Sequence, residues 1–206
     1  MIKKIPPKYK KIWFLCQPYF KQGRPGDKEH AEEVINFILS YKGKIQFDKD
    51  ILIPLAMMHD IGHAAILPEH FIHITGPKKI INGKMVHMLA GAKIAQEVLK
   101  KAKYDKNKSK EIVESVSIHD MDQIKGVDIQ KIYNTKHKKL FHDFDSLDRY
   151  NEKRMKSFLK MFESGDKNKW AKIFKALEDF LELYFYNDIK QIAEDRLTEL
   201  KNKYSK

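Results

Sequence analysis

Apolar residues recur along most of the chain at helical spacing. Ala31, Val34, Ile35, Ile38 and Leu39 follow the i, i+3, i+4, i+7, i+8 rhythm of one helix face, with Asp27 as the predicted N-cap and Gly43 just past the end. A second helix is predicted to start after Asp48 and to run through Ile51, Leu52, Leu55 and Met58 into His59 and Asp60. Met85, Leu89, Ala92, Val98 and Leu99 mark a third, ending near Lys103; Ile112, Val113, Val116 and His119 mark a fourth. Leu140, Phe141, Phe144, Leu147 and Asp148 fall in a fifth. Trp170, Ile173, Phe174, Leu177, Phe180, Leu181 and Tyr184 form a strongly amphipathic sixth, and Ile189, Ile192, Ala193, Leu197 and Leu200 a seventh. Tyr9 to Phe20 reads as a further N-terminal helix approached through Pro6 and Pro7.

Turn chemistry is confined to residues 22–26, 62–83 and 164–166, and no alternation long enough for a strand appears. The chain therefore reads as all-α, with a main domain over 1–165 that includes the N-terminal helix. Residues 166–206 read as a C-terminal helical hairpin packed on it.

Composition narrows the class. At 206 residues with 42% hydrophobic and 11% aromatic side chains, the chain can bury a core without staples and is not a disordered polymer. Its longest apolar run, Ile51 to Met58, is far below the roughly 20 residues of a membrane span. One cysteine, Cys16, excludes an intrachain disulfide and a cysteine zinc cluster. With no secretory pattern after the basic N-terminus, the expectation is a cytoplasmic protein with no membrane partner. Forty basic against 28 acidic residues give +12, which suits an anionic ligand. Only Arg24, Arg149, Arg154 and Arg196 are arginine, so the charge is mostly diffuse lysine, and nucleic acid is not the favoured partner.

Candidate chemistry lies in the histidines. His30 follows the predicted cap Asp27 on the stripe of Val34; His59 and Asp60 are adjacent at the end of an apolar helix; His87 precedes Ala90-Gly91-Ala92, a tract that permits close helix approach; His119 is followed by Asp120; and Asp143, Asp145 and Asp148 crowd one segment. A single helical histidine is more often a structural side chain than a ligand. A buried aspartate beside a histidine, however, needs a compensating cation, and a divalent metal is the usual one. Imidazole and carboxylate donors without thiolate suit Mn, Fe, Co, Ni, Zn or Mg.

The ordered set resembles the HD superfamily of metal-dependent phosphohydrolases, whose pattern is H…HD…D on a helical bundle. His30 matches the first histidine, His59-Asp60-Ile61-Gly62 the doublet, and Asp145 in Asp145-Ser146-Leu147-Asp148 the last acid. The resemblance covers roughly residues 20–155 and implies one or two divalent metal ions. One ion would be held by His30, His59, Asp60 and Asp145. A second would share Asp60 with His87 and His119, unless those two instead hydrogen-bond around a single ion. His59-Asp60-Ile61-Gly62-His63 is also similar to the local motif of deoxynucleoside-triphosphate triphosphohydrolases, but Ala64 to His70 departs from the continuation of that motif.

The activity implied is hydrolysis of a phosphate ester, of a nucleotide or related small phosphate, by metal-activated water. Asp60 or Asp120 would orient the water and His63 would protonate the leaving alkoxide. Arg24, Lys78 and Lys79 are candidate phosphate contacts, set against the plainer reading of solvated loop charge. His70 and His73 read as exposed loop residues. Two rivals stay open: a di-iron oxygenase on the same fold, and a basic nucleotide- or RNA-binding helical module with a structural metal. The sequence leaves the oligomeric state undetermined.

Overall fold

Proline at the first position of a helical turn lacks only an N–H that would have had no partner. Pro7 sits there, in a short 3-10 turn (Pro7–Tyr9) that opens into α1 (Lys10–Gln22). The protein, seen in a computed structural model, is described over residues 5–70, 82–159 and 168–204, and every regular element among them is helical. After α1 come α2 (Asp27–Ser40), α3 (Lys49–Met58), α4 (Gly83–Ala102), α5 (Lys106–Val116), the one-turn α6 (Ile129–Ile132) and α7 (Lys136–Ser146). The all-α expectation holds. The chain divides into two compact units, Met1–Phe141 and His142–Lys206, with the boundary inside α7.

The first unit is organised around α3. Residues Ile51 to Met58 are all buried, and α1, α2 and α5 pack against the helix that carries them. Asp48 caps it by accepting from the Asp50 N–H at 2.7 Å, as its position predicts. Pro54 interrupts the ladder, since it has no N–H to offer the Asp50 carbonyl four residues back. Tyr104, just beyond α4, supplies the replacement: its hydroxyl donates to that carbonyl at 2.7 Å.

Beyond α3 the chain tightens into a 3-10 turn, Ile61–Ala65, which packs mainly on α4. The contact is backbone to backbone. A Cβ on Gly62 would lie 1.8 Å from the His87 carbonyl oxygen and 2.5 Å from the Gly91 nitrogen, so only glycine fits. The small-residue tract around Gly91 does permit a close approach, and the partner is this turn.

The second unit continues with a 3-10 turn (Leu147–Tyr150), α8 (Glu152–Leu159), α9 (Lys169–Leu181) and α10 (Asn187–Tyr204). α9 and α10 pack on each other. The Tyr150 hydroxyl donates to the Leu177 carbonyl at 2.9 Å, and Trp170 stacks on Tyr204 with centroids 4.5 Å apart. Asp143, fully buried, accepts the backbone N–H groups of Phe185 and Tyr186 at 3.1 and 2.8 Å and faces His142 at 3.0 Å.

Two expectations shift. Gly26, with φ of 98°, is the N-cap of α2, and Asp27 is its first helical residue rather than the cap. α6 and α8 appear where no helix is predicted. The turn expected at 164–166 lies outside the described residues.

Candidate metal centre

Five imidazoles from separate elements converge on one carboxylate. His30 stands in the first turn of α2, His59 caps the C-terminus of α3, His63 lies in the 3-10 turn, His87 in the second turn of α4, and His119 in the turn after α5. Their Nε2 atoms lie 4.0, 3.5, 3.6, 3.8 and 3.4 Å from Asp60 oxygens, in that order. Asp60 is 7% exposed, while His59, His87 and His119 are 3% exposed or less. His63 stacks face to face on His87 at 4.3 Å, and Phe141 packs edgewise on His59.

Local backbone geometry decides which nitrogen faces inward. Nδ1 of His59 lies 3.0 Å from the Ala56 carbonyl, Nδ1 of His87 3.2 Å from Gly83, and Nδ1 of His119 2.8 Å from Val116. A carbonyl only accepts, so each Nδ1 is the donor, and in the neutral ring Nε2 carries a lone pair. Each histidine reaches the carbonyl three or four residues behind it, a spacing that a helix end provides. The turn bearing His119 is held in addition by Tyr133, whose buried hydroxyl donates to the His119 carbonyl at 2.8 Å.

The result is a donor set that asks for a cation. Nε2 of His87 and Nε2 of His119 are 3.2 Å apart, two lone pairs face to face unless a proton or a metal ion lies between them. Burial opposes charge on His119, but the Asp60 carboxylate and Asp120 outweigh it and raise its pKa to about 9. Burial, with His119 and His63 beside it, pushes His87 down to about 3. For Asp60, burial favours the neutral acid, yet the surrounding imidazoles, His59 foremost, hold it well below the usual carboxylate range. Three groups of side chains close tightly enough to share an ion: His30, His59 and Asp60; Asp60, His63 and His87; His87, His119 and Asp120, each with ligand atoms within 4.8 Å of one another. Asp60 belongs to two of them. Buried nitrogen and oxygen donors with no thiolate fit a divalent metal ion.

Around this centre, Asp120 faces Nε2 of His87 at 3.6 Å and accepts from Lys84 at 3.4 Å and Gln123 at 2.6 Å. Lys84 also meets Gln123. Arg24 does not stand as a loop cation. Its Nε donates to Asp27 at 2.8 Å and one Nη to Asp60 at 3.2 Å. Burial opposes its charge, but Asp60 and Asp27 prevail and raise its pKa.

The structure thus brings together His30, His59, Asp60, His63, His87, His119, Asp120 and Arg24. Asp145 belongs to the second unit, half-buried on α7. Lys78, Lys79 and His73 lie outside the described residues, and His70 is exposed. Sequence reasoning missed Lys84, Gln123 and Tyr133. Lys84 precedes His87 by three residues on α4, a spacing that places both on one helix face and was there to be read. The separation of 32 from Met88 to Asp120, whose backbone N–H meets the Met88 sulfur, carries no comparable signal.

Among the described residues no helix is long and apolar enough to cross a membrane. Compared with curated proteins and with solved structures, the chain has no match. The sequence pattern of the HD domain matches residues 28–150, more than half of the chain, and spans His30, the His59-Asp60 doublet, His87, His119 and Asp145. The protein belongs to the HD domain family.

Proposed function

We propose that the chain is a metal-dependent phosphohydrolase that cleaves a phosphate ester, of a nucleotide or a related small phosphate. The observation that carries this reading is the convergence of five imidazole nitrogens on the buried Asp60, three of them with Nδ1 locked to backbone carbonyls. His30, His59 and Asp60 would hold one ion, with Asp145 as the closing ligand; Asp60, His87 and His119 would hold a second. The ions are drawn from Mn, Fe, Co, Ni, Mg and Zn. A divalent ion so held lowers the pKa of its bound water toward about 7 and screens phosphate oxygens.

The chain's own groups divide the remaining work. Asp120, anchored by Lys84 and Gln123, is placed to accept a proton from the attacking water. His63 is the most accessible of the histidines around Asp60, with 16% of its side chain exposed, and in its protonated form it donates to the leaving oxygen. Arg24 holds Asp60 and Asp27 in place and adds positive potential beside the centre.

The test is phosphate release from nucleotides, cyclic nucleotides and sugar phosphates with Mn²⁺, Co²⁺, Ni²⁺ or Mg²⁺, beside Asp60→Ala. Release that needs metal and vanishes in the variant is expected. Iron-dependent consumption of oxygen without phosphate release would instead make the chain an oxygenase. Failure to bind any divalent ion would overturn both.

A further inference from the structure

A groove of about 750 Å³ runs between the end of α4 and the start of α5, and none of its lining residues belongs to the metal centre. Leu99, Tyr104 and Val113 line its apolar part. The Tyr104 hydroxyl is turned away into the Asp50 carbonyl, which fixes the ring. Lys100, Lys103, Lys106 and Lys110 surround it, and all four are exposed; Glu114, which also lines it, is paired with Lys138.

Two features of these lysines bear on what the groove can hold. Some lysines elsewhere meet acids: Lys108 pairs with Asp48 and Asp50, Lys138 with Glu114, Lys201 with Glu178 and Lys203 with Glu152. Among the described residues none of the groove quartet has a carboxylate within ion-pair distance. Lys100 and Lys103 close α4, where a helix favours cations. Lys106 opens α5, where the helix dipole disfavours a cation and the Asp105 cap beside it offsets part of that cost. Lys103 adds a second cost. Its φ of 58° places a lysine in the left-handed region that favours glycine, the only non-glycine residue so placed among those described. Helix stability does not account for a lysine at 103.

We infer that this groove is a second ligand site, for a nucleoside polyphosphate, remote from the metal centre. Its volume lies in the range of about 300–1,000 Å³ usual for small-ligand sites. An apolar floor takes a flat, weakly polar body such as a base. Four lysines without an arginine fork supply charge without fixed orientation, which matches a flexible chain of phosphates better than one carboxylate. The site does not depend on the hydrolase reading, because no residue is shared.

Isothermal titration of the full chain with ATP, in excess chelator so that no metal-borne binding contributes, tests this. Three variants accompany the wild type. Lys100→Gln/Lys103→Gln/Lys106→Gln/Lys110→Gln removes the charge. Ser109→Glu places a second carboxylate in the lining, among the lysines and with no lysine partner of its own. Lys103→Gly removes one lysine and relieves the left-handed backbone. The expected result is a 1:1 complex that weakens at least about tenfold in the quadruple variant and in Ser109→Glu. Lys103→Gly is expected to bind more weakly while melting no lower than the wild type. Absence of binding at millimolar ATP, or affinity unchanged across all three variants, overturns the site. Capture of single-stranded RNA without binding of ATP overturns it in favour of a nucleic-acid surface.

Discussion

The two ends of α3 each carry a key aspartate, and the two are satisfied in opposite ways. At the N-terminal end Asp50 meets the Lys8 ammonium, the Tyr9 hydroxyl at 2.5 Å and Lys108 at 3.1 Å, while Asp48 caps the helix and shares Lys108. These partners are permanent: two ammonium groups and a phenol whose pKa burial and Asp50 push upward. At the C-terminal end Asp60 sits among five imidazoles, most of which present lone pairs, with a single Arg24 guanidinium shared with Asp27. The first end is complete as folded and ties the N-terminal segment to α3 and α5. The second is electrostatically complete only with an added proton or metal ion. A helix whose residues 51–58 are all buried holds both, so stability and chemistry are separated by the length of one helix.

The most damaging way to probe the difference is Gly62→Ala. Its Cβ would collide with the His87 carbonyl and the Gly91 backbone, neither of which can swing aside as a side chain could. Moving the turn away from α4 separates Asp60 and His63 from His87. The expected cost is about 3 kcal/mol of stability, together with loss of metal binding. Calorimetry beside metal titration checks both, and a variant that melts like the wild type and binds metal would mean the two backbones do not meet.

Next in size is the cation itself. A metal ion at 100-fold its dissociation constant stabilises the folded chain by about 2.7 kcal/mol, and chelation should remove that increment. In Asp60→Ala the increment should be absent. The chelated variant should lie within about 1 kcal/mol of the chelated wild type, since Arg24 keeps Asp27 and His119 can shed its proton. Phosphate release should fall at least about 100-fold. A variant still stabilised by metal would show that the imidazoles bind without Asp60.

Asp50→Ala reverses that signature. It leaves Lys8, Lys108 and Tyr9 without their shared acceptor, at a site where the carboxylate is partly solvated, so the expected loss is about 1–2 kcal/mol. Metal affinity should be unchanged. A drop in metal affinity would show that the two ends are coupled through α3.

How far the sequence foretold this contrast depends on what local pattern can encode. The apolar stripes of α2, α3, α4 and α5 repeat over several turns, and the Asp48 cap is a short-range signal, so those helices and one end of α3 were legible. α8 was not: of its residues 152–159 only Met155, Phe158 and Leu159 are apolar, too few to show a period. The histidines were legible as a set because the family pattern orders them. Their orientation was not, because it depends on which carbonyl each Nδ1 meets where a helix ends. An aspartate just ahead of an apolar stripe predicts a cap at Asp27, but its carboxylate turns back to Arg24 instead of forward onto the helix. The bond from Arg24 to Asp60, 36 residues on, has no local trace. Gly91 was recognised as a point of close approach, but the element that fills it, the turn at Gly62, emerges only from the fold.

The finest probe of the comparison is pH. Hydrogen bonds from Lys8 and Tyr9, and then Lys108, hold the Asp50 carboxyl below its ordinary range against the opposing effect of burial. A carboxyl with a depressed folded pKa stabilises fully above its unfolded value, near 3.9, and the contribution is lost as pH falls below that toward the folded value. Chelated wild type and chelated Asp50→Asn share the same metal centre, so protonation of the histidines cancels between them. The wild type should therefore melt above Asp50→Asn by a constant margin from pH 7 to about pH 5, and the margin should shrink progressively between about pH 4 and pH 2. Thermal melts of the pair at four pH values measure it. A margin that stays constant down to pH 2 would mean that the Asp50 carboxyl has the same pKa folded and unfolded, and that its charge adds nothing at this end of α3.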